Sequence, residues 1–234
     1  MERLDKLLAG TGRWSRKEVK ELVRTGRVFV NGVRAAKPED KFDPNDTFEV
    51  SGETVCCAGK LYLMLNKPAG YVSATEDASQ QTVLDLLPEH LRKVGLFPAG
   101  RLDKDTEGLL LLTNDGPLAH ELLAPKKHVD KVYYAKVDGM LDEEDVKSFA
   151  EGLTLQDGLT CLSAGLEILE QKDECLVTLR EGKYHQVKRM LASRGKPVLY
   201  LKRLTMGPLC LDQKLAPGQW RELTADEKKL LGRL

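Results

Sequence analysis

The sequence predicts an α+β protein in two parts. A small N-terminal domain of helices and a β ribbon covers residues 1–58. A larger domain over residues 59–234 is built on a mixed, mainly antiparallel sheet. Three observations lead there. The chain has 234 residues, 41% of them hydrophobic, enough for one large core or two smaller ones. Its character changes near Gly59, from short charged segments to longer apolar ones. Beyond that point strand-like and helix-like segments alternate, with hairpin-like returns.

Leu4, Leu7 and Leu8 have amphipathic spacing and open a first helix. The stretch GTGRWS breaks it, and Ser15 can cap a second helix through RKEVKELVRTG. Gly26 stands where a helix C-terminus commonly places glycine. RVFVNGVRA then reads as two short strands around an Asn-Gly turn, a strong hairpin signal. KFDPNDTFEVSG is a polar turn followed by another strand. In the larger part, LYLMLNKPAGYVSA is an apolar strand stopped by Pro68 and Gly70, and TVLDLLPEHL a short helix. A turn and an acidic loop lead into the apolar strand of GLLLLTND. GPLAHELLAP is a helix with Pro117 near its first turn. KVYYAKVDG alternates as a strand, and DEEDVKSFAEGL is a helix whose early acids suit its dipole. Strands AGLEILEQ and ECLVTLREG, a basic helix YHQVKRMLASRG and a strand VLYLKRLTMG complete the order.

No apolar run approaches the roughly 18 residues of a membrane span. MERLDKLLAG interleaves charge with leucine, unlike a secretory signal. Five cysteines without a CxxC pair, and four scattered histidines, argue against a disulfide framework or a zinc site. Free thiols in a reducing cytoplasm are the expectation. Formal net charge is zero, so any polyanion partner must be read from local charge. Before Arg34 bases outnumber acids. Arg13, Arg16, Lys17, Lys20 and Arg24 recur at helical spacing and can share one face. Such a face is either ordinary solvated surface or a phosphate-binding surface that releases counterions.

GRLDKDTEGLLLLTND places carboxylates at the mouth of a buried apolar segment. Asp103, Asp105, Glu107 and Gly108 mimic the opening of an EF-hand loop. The twelfth position, however, is Asn114 rather than a bidentate Glu, and Leu109–Leu112 is too apolar for an ion cage. Two readings remain: a solvated turn before a strand, or a carboxylate held rigidly at a strand start as a nucleophile or base. Asp103 is flanked by Arg101 and Lys104. A second stretch, Gly182 to Arg203, carries Lys183, Lys188, Arg189, Arg194, Lys196, Lys202 and Arg203 and no acid, with Tyr184, His185 and Tyr200 interleaved. Bases bind phosphates and aromatic rings stack on unpaired bases. On composition alone His185 and Tyr133 read more readily as structural residues than as functional ones. No G-x-S-x-G elbow, P-loop or G-x-G-x-x-G is present. No cofactor and no metal are expected.

Together these pieces resemble a known family. GRLDKDTEGLLLLTNDG is similar to the signature of ribosomal pseudouridine synthases related to the enzyme acting on small-subunit (16S) ribosomal RNA. LNKPAGYVSA resembles the motif before that family's catalytic loop, KVYYAKV its Lys-x-Tyr strand, and EGKYHQVKRML its late basic helix. The first segment resembles the alpha-L RNA-binding domain found in the fourth small-subunit ribosomal protein. The resemblance spans essentially the whole chain. It implies a pseudouridine synthase fold after that domain, with Asp103 as catalytic aspartate and Tyr133 packing against the target nucleotide. Lys188 would be the basic partner of Asp103, where related subfamilies more often carry Arg. RNA contacts would fall on Arg13, Arg16, Lys17, Lys20, Arg24, Arg101, Tyr184, His185, Gln186 and Arg189. YHQVKRM is more similar to the small-subunit branch than to large-subunit branches, which tend to have Asn-Arg in place of Tyr-His. The implied partner is ribosomal RNA or a ribosomal assembly particle, met by a cytoplasmic monomer without a membrane. Rival readings are a non-catalytic RNA-binding assembly factor, a large-subunit pseudouridine synthase and a metal-dependent RNA hydrolase.

Overall fold

The structure, a computed structural model, describes residues 1–11, 13–55, 57, 59–92, 94–124, 127 and 129–232. It forms two compact units. One comprises Met1–Leu61, Leu87–Phe97 and Thr113–Asp115; the other comprises Tyr62–Leu86, Pro98–Leu112 and Gly116–Leu234.

The first unit begins with β1 (Glu2–Arg3), α1 (Leu4–Gly10) and α2 (Arg16–Arg24). Ser15 caps α2 in a full capping box with Glu18, satisfying two helix-end amides. Val19 and Val23, four apart, are the buried face of α2, and its bases lie outward. Gly26 follows the helix with φ 74°. β2 (Val28–Val30) and β3 (Val33–Arg34) form the expected hairpin. Asn31 and Gly32 both have positive φ, as a tight two-residue turn requires. β4 (Lys41–Phe42) pairs β1. β5 (Phe48–Val50) pairs β2, and β6 (Glu53–Val55) extends that sheet to four strands. This last strand was not expected. Ser51 and Gly52, again both at positive φ, turn the chain back after β5. Leu4, Leu8, Val19, Val28 and Phe48 make a fully buried core.

The chain continues through β7 (Tyr62–Lys67), a 3₁₀ turn (Val83–Leu86), α3 (Glu89–Arg92) and β8 (Phe97–Pro98). Pro88 falls between the 3₁₀ turn and α3, so the single helix expected over TVLDLLPEHL is split. Next come β9 (Glu107–Thr113), α4 (Gly116–Leu123), β10 (Lys131–Val137), α5 (Glu143–Glu151), β11 (Gly165–Ile168) and β12 (Glu174–Leu179). α6 (Gln186–Ser193), β13 (Val198–Met206), β14 (Leu209–Cys210), β15 (Trp220–Glu222) and α7 (Ala225–Leu231) complete it. The large sheet has the order β11-β12-β10-β13-β9-β7-β15, with β14 on β13 and β8 on β9. β13 and β9 run parallel, whereas β11/β12, β12/β10, β10/β13 and β15/β7 are antiparallel.

The sheet explains the leucine run. β9 lies between β13 and β7, and Leu109, Leu110, Leu111 and Leu112 are all fully buried. A strand covered on both faces needs a continuous apolar run rather than an alternating one. Gly108 lets the two parallel strands meet: it has φ 101°, and a Cβ there would strike the Arg203 backbone. Among the described residues no helix is long and apolar enough to cross a membrane. Cys161, Cys175 and Cys210 are free thiols, and Cys56 lies outside the described residues.

Candidate active site

Loop 101–106 enters β9, and the segment after β7 holds it in place. Lys67 is fully buried at the end of β7. Its Nζ, with three N–H donors, lies within hydrogen-bond reach of four carbonyls: Pro68 at 3.1 Å, Asp103 at 3.0 Å, Lys104 at 3.2 Å and Thr106 at 2.8 Å. Burial lowers the Lys67 pKa to about 8, with the nearby Asp105, Asp103 and Glu107 carboxylates opposing it. At neutral pH the ammonium therefore persists. Ser73 Oγ donates to the Leu102 carbonyl at 2.9 Å and accepts from the Leu102 amide at 3.0 Å. The Gly70 amide donates to the Lys104 carbonyl. The stretch LNKPAGYVSA thus acts as a buttress that fixes the backbone of the acidic loop.

The Asp103 carboxylate leaves this fixed backbone with about a quarter of its side chain exposed. Its Oδ2 lies 3.0 Å from Lys188 Nζ, and its Oδ1 lies 3.4 Å from His185 Nε2. Lys188 also donates to Asp105 Oδ1 at 2.5 Å. Burial works to lower the Lys188 pKa, but its hydrogen bonds to Asp105 and Asp103 outweigh that and raise it. The same hydrogen bond from Lys188 holds Asp105 below the usual carboxylate range. Glu107 is spent elsewhere, accepting from the Tyr200 hydroxyl at 2.7 Å. The three acids of the loop are therefore committed to a lysine and a tyrosine, an arrangement unlike an ion cage.

Lys188 reaches Asp103 from α6. His185 precedes that helix in the left-handed region, φ 47°, where a non-glycine residue is uncommon. The helix therefore starts at Gln186, two residues later than the sequence pattern suggests, and His185 is turned toward Asp103. Its ring stacks on Tyr184 at 3.8 Å between centroids, and Tyr184 is 75% exposed.

Asp103 opens on a small cleft that is partly open to solvent. Arg101, Leu102 and Thr106 line it from the loop, Tyr133 from β10, Leu179 from β12 and Leu201 from β13. Lys183, His185, Gln186 and Val187 close it at the start of α6. Tyr133 is almost fully buried. The Thr106 hydroxyl is buried without a hydrogen-bond partner among the described residues. A carboxylate fixed by its backbone and held by an ammonium beside apolar walls is equipped to attack or to take a proton.

The structure thus gathers Asp103, Lys188, Tyr133, Arg101 and His185 at one place. Other candidates are placed differently. Gln186 is buried: its amide nitrogen donates to Glu181 and its oxygen accepts from the Lys183 amide. It shapes the cleft but has little left to offer a ligand. Arg189 pairs with Asp157 at 2.5 Å and is not among the cleft residues. The basic stretch is mostly spent internally: Arg194 pairs with buried Asp145, and buried Arg203 donates to the Leu109 carbonyl. In the first unit, Arg16, Lys17 and Lys20 are exposed with no ion pair among the described residues. Arg24 pairs with Glu21. Arg13 precedes α2, pairs with Glu53 and lies 5.8 Å over the Trp14 ring. Sequence reasoning passed over Lys67, Ser73 and Thr106. A lysine closing an apolar strand was the one available signal.

A mixed sheet carrying a carboxylate-centred cleft, in a chain that opens with a small unit of two helices and short strands, is an α+β architecture. Residues 61–193 match the RNA pseudouridylate synthase family, and residues 2–48 match the S4 domain. The chain belongs to the RNA pseudouridylate synthase family. It is 50% identical to an uncharacterized RNA pseudouridine synthase of Bacillus subtilis, over 98% of both chains. It is 42% identical to ribosomal small subunit pseudouridine synthase A of Pseudomonas aeruginosa, over 96% of this chain and 98% of that one. It is also 39% identical to ribosomal large subunit pseudouridine synthase B of Bacillus subtilis, over 99% and 96%. A crystal structure of a pseudouridylate synthase superposes with a TM-score of 0.71 at 34% identity, over 99% of this chain and all of that one.

Proposed function

We propose that the protein isomerises one uridine of small-subunit ribosomal RNA, with Asp103 as the acting carboxylate. The observation that carries this is the Asp103 carboxylate, 3.0 Å from Lys188 Nζ, at the edge of a cleft lined by Tyr133. The reaction breaks the N1–C1′ bond, turns the uracil and joins C5 to C1′; the C5 hydrogen leaves as a proton and N1 gains one. Attack on C1′, attack on the base and removal of a sugar proton all begin from an ionised carboxylate. Lys188 Nζ, 3.0 Å from Asp103 Oδ2, holds the carboxylate in place. Tyr133 stacks on the target ring in a cleft with apolar walls. The uridine must leave its stack to enter, at a cost of a few kcal/mol. Phosphate contacts at Arg16, Lys17 and Lys20 of the S4 domain help to offset it. The protein works as a monomer in the cytoplasm, on ribosomal RNA free or in an assembly particle.

The small-subunit assignment rests on the Tyr184-His185 pair and on the likeness to small-subunit synthases. The large-subunit relative at 39% identity supports the alternative branch. Pseudouridine mapping of ribosomal RNA from cells lacking the protein decides: one site lost from small-subunit RNA is expected, and a site lost from large-subunit RNA reverses the branch. Tritium release from [5-³H]uridine-labelled RNA separates an isomerase from a non-catalytic binder. Chain cleavage abolished by EDTA is the signature of a metal-dependent hydrolase.

A further inference from the structure

We propose that Asp105 is a positioning residue, which holds the Lys188 ammonium where Asp103 needs it. The proposal rests on the function assigned to Asp103 and Lys188 above. A lysine ammonium is a point charge on a flexible four-carbon stem, whereas a guanidinium grips a carboxylate with two parallel N–H bonds. Lys188 touches Asp103 through one oxygen, Oδ2 at 3.0 Å. A single contact leaves the stem free to swing. Asp105 Oδ1 supplies the second contact at 2.5 Å.

Both carboxylates spring from the same buttressed loop. Lys67 ties down the carbonyls of Asp103, Lys104 and Thr106 on either side of Asp105. The loop therefore offers two acceptor points at a fixed spacing, and one ammonium bridges them. Asp105 is not among the cleft residues and its side chain is 75% exposed. It accordingly meets the site through Lys188 rather than through a bound nucleotide. His185 Nε2 lies 3.4 Å from the other oxygen of Asp103, and Asp105 gives Lys188 its second contact. Lysine at position 188 thus requires a second anchor that an arginine would not.

The test uses the full chain and [5-³H]uridine-labelled small-subunit ribosomal RNA, supplied naked and with small-subunit proteins. Asp105→Ala is expected to lower kcat about 10- to 100-fold, the scale of a misplaced catalytic contact, with KM changed less than about twofold. Asp105→Asn, which keeps an acceptor oxygen without the charge, falls between. Melting curves of both variants match wild type, because Asp105 is exposed. The deciding arm is a double-mutant cycle: on a Lys188→Arg background, Asp105→Ala lowers kcat by less than about threefold. An Asp105→Ala enzyme with wild-type kcat overturns the proposal. So does an equal loss on the arginine background, or an inactive Lys188→Arg. If wild type releases no tritium from either RNA, the assigned function itself fails and the proposal with it. An active wild type with an indifferent Asp105→Ala sinks this proposal alone.

Discussion

Replacing Lys67 with Met removes a cation that ties loop 101–106 to β7. Four carbonyls lose a shared donor group, at 2.8 to 3.2 Å. The bond to the Thr106 carbonyl is buried and the other three are partly buried. Leaving the buried carbonyl unpaired costs about 1–3 kcal/mol, and each remaining bond contributes about 0.5–1.5 kcal/mol. The apolar methionine, and relief of the cost of burying an ammonium, offset part of this, and a net loss of about 2–4 kcal/mol remains. For a chain of this size each kcal/mol moves the melting temperature by about 2–4 °C. Circular dichroism or calorimetry should therefore show a fall of about 5–15 °C. Tritium release should fall more steeply than folded fraction, since the loop that carries Asp103 loses its tether. A variant that melts within about 2 °C of wild type would refute the buttress argument, because at least one buried carbonyl must then have found another donor.

Three further outcomes follow from the same geometry. The Lys67 pKa of about 8 lies below its ordinary 10.5. Between those values the unfolded chain binds more protons, so this group makes stability rise with pH across that window. The stability of wild type relative to Lys67→Met, by urea melts at pH 7.5 and 10, should grow; a constant difference contradicts the shift. Lys17→Glu with Lys20→Glu should weaken RNA binding and flatten its salt dependence, by about 0.7–0.9 in log–log slope per lost phosphate contact. Unchanged filter-binding slopes would remove that face from the interface. Gly108→Ala forces a Cβ onto the Arg203 backbone at φ 101° and should destabilise by more than the roughly 1 kcal/mol of an ordinary glycine substitution. A wild-type melting temperature would show that β9 and β13 can part without cost.

The elements legible in the sequence were those with local causes. Asn31-Gly32 specifies its hairpin through backbone conformation, and Ser15 with Glu18 specifies the start of α2 through hydrogen bonds. β6 escaped notice because Ser51 does not announce a left-handed turn residue as Asn does. The late start of α6 escaped for the same reason: nothing local requires His185 at φ 47°. β15 and α7 fall in a charged C-terminal segment. Within the site, the roles proposed for Asp103, Tyr133 and Lys188 rest on the family resemblance, since no pattern links positions so far apart. Asp105 and Lys188 meet across 83 residues, through the parallel contact of β9 with β13 and the packing of α6. The fate of the basic stretch was illegible for a related reason. Charge can be counted along a chain, but whether Arg194 meets Asp145 or a phosphate depends on the fold.

The most direct test is Asp103→Asn in the tritium-release assay. The substitution keeps the side chain's shape and its acceptor oxygen and removes its charge. The protein should fold, bind ribosomal RNA as wild type does and release no tritium. Turnover near the wild-type rate would show that the reaction does not run through Asp103.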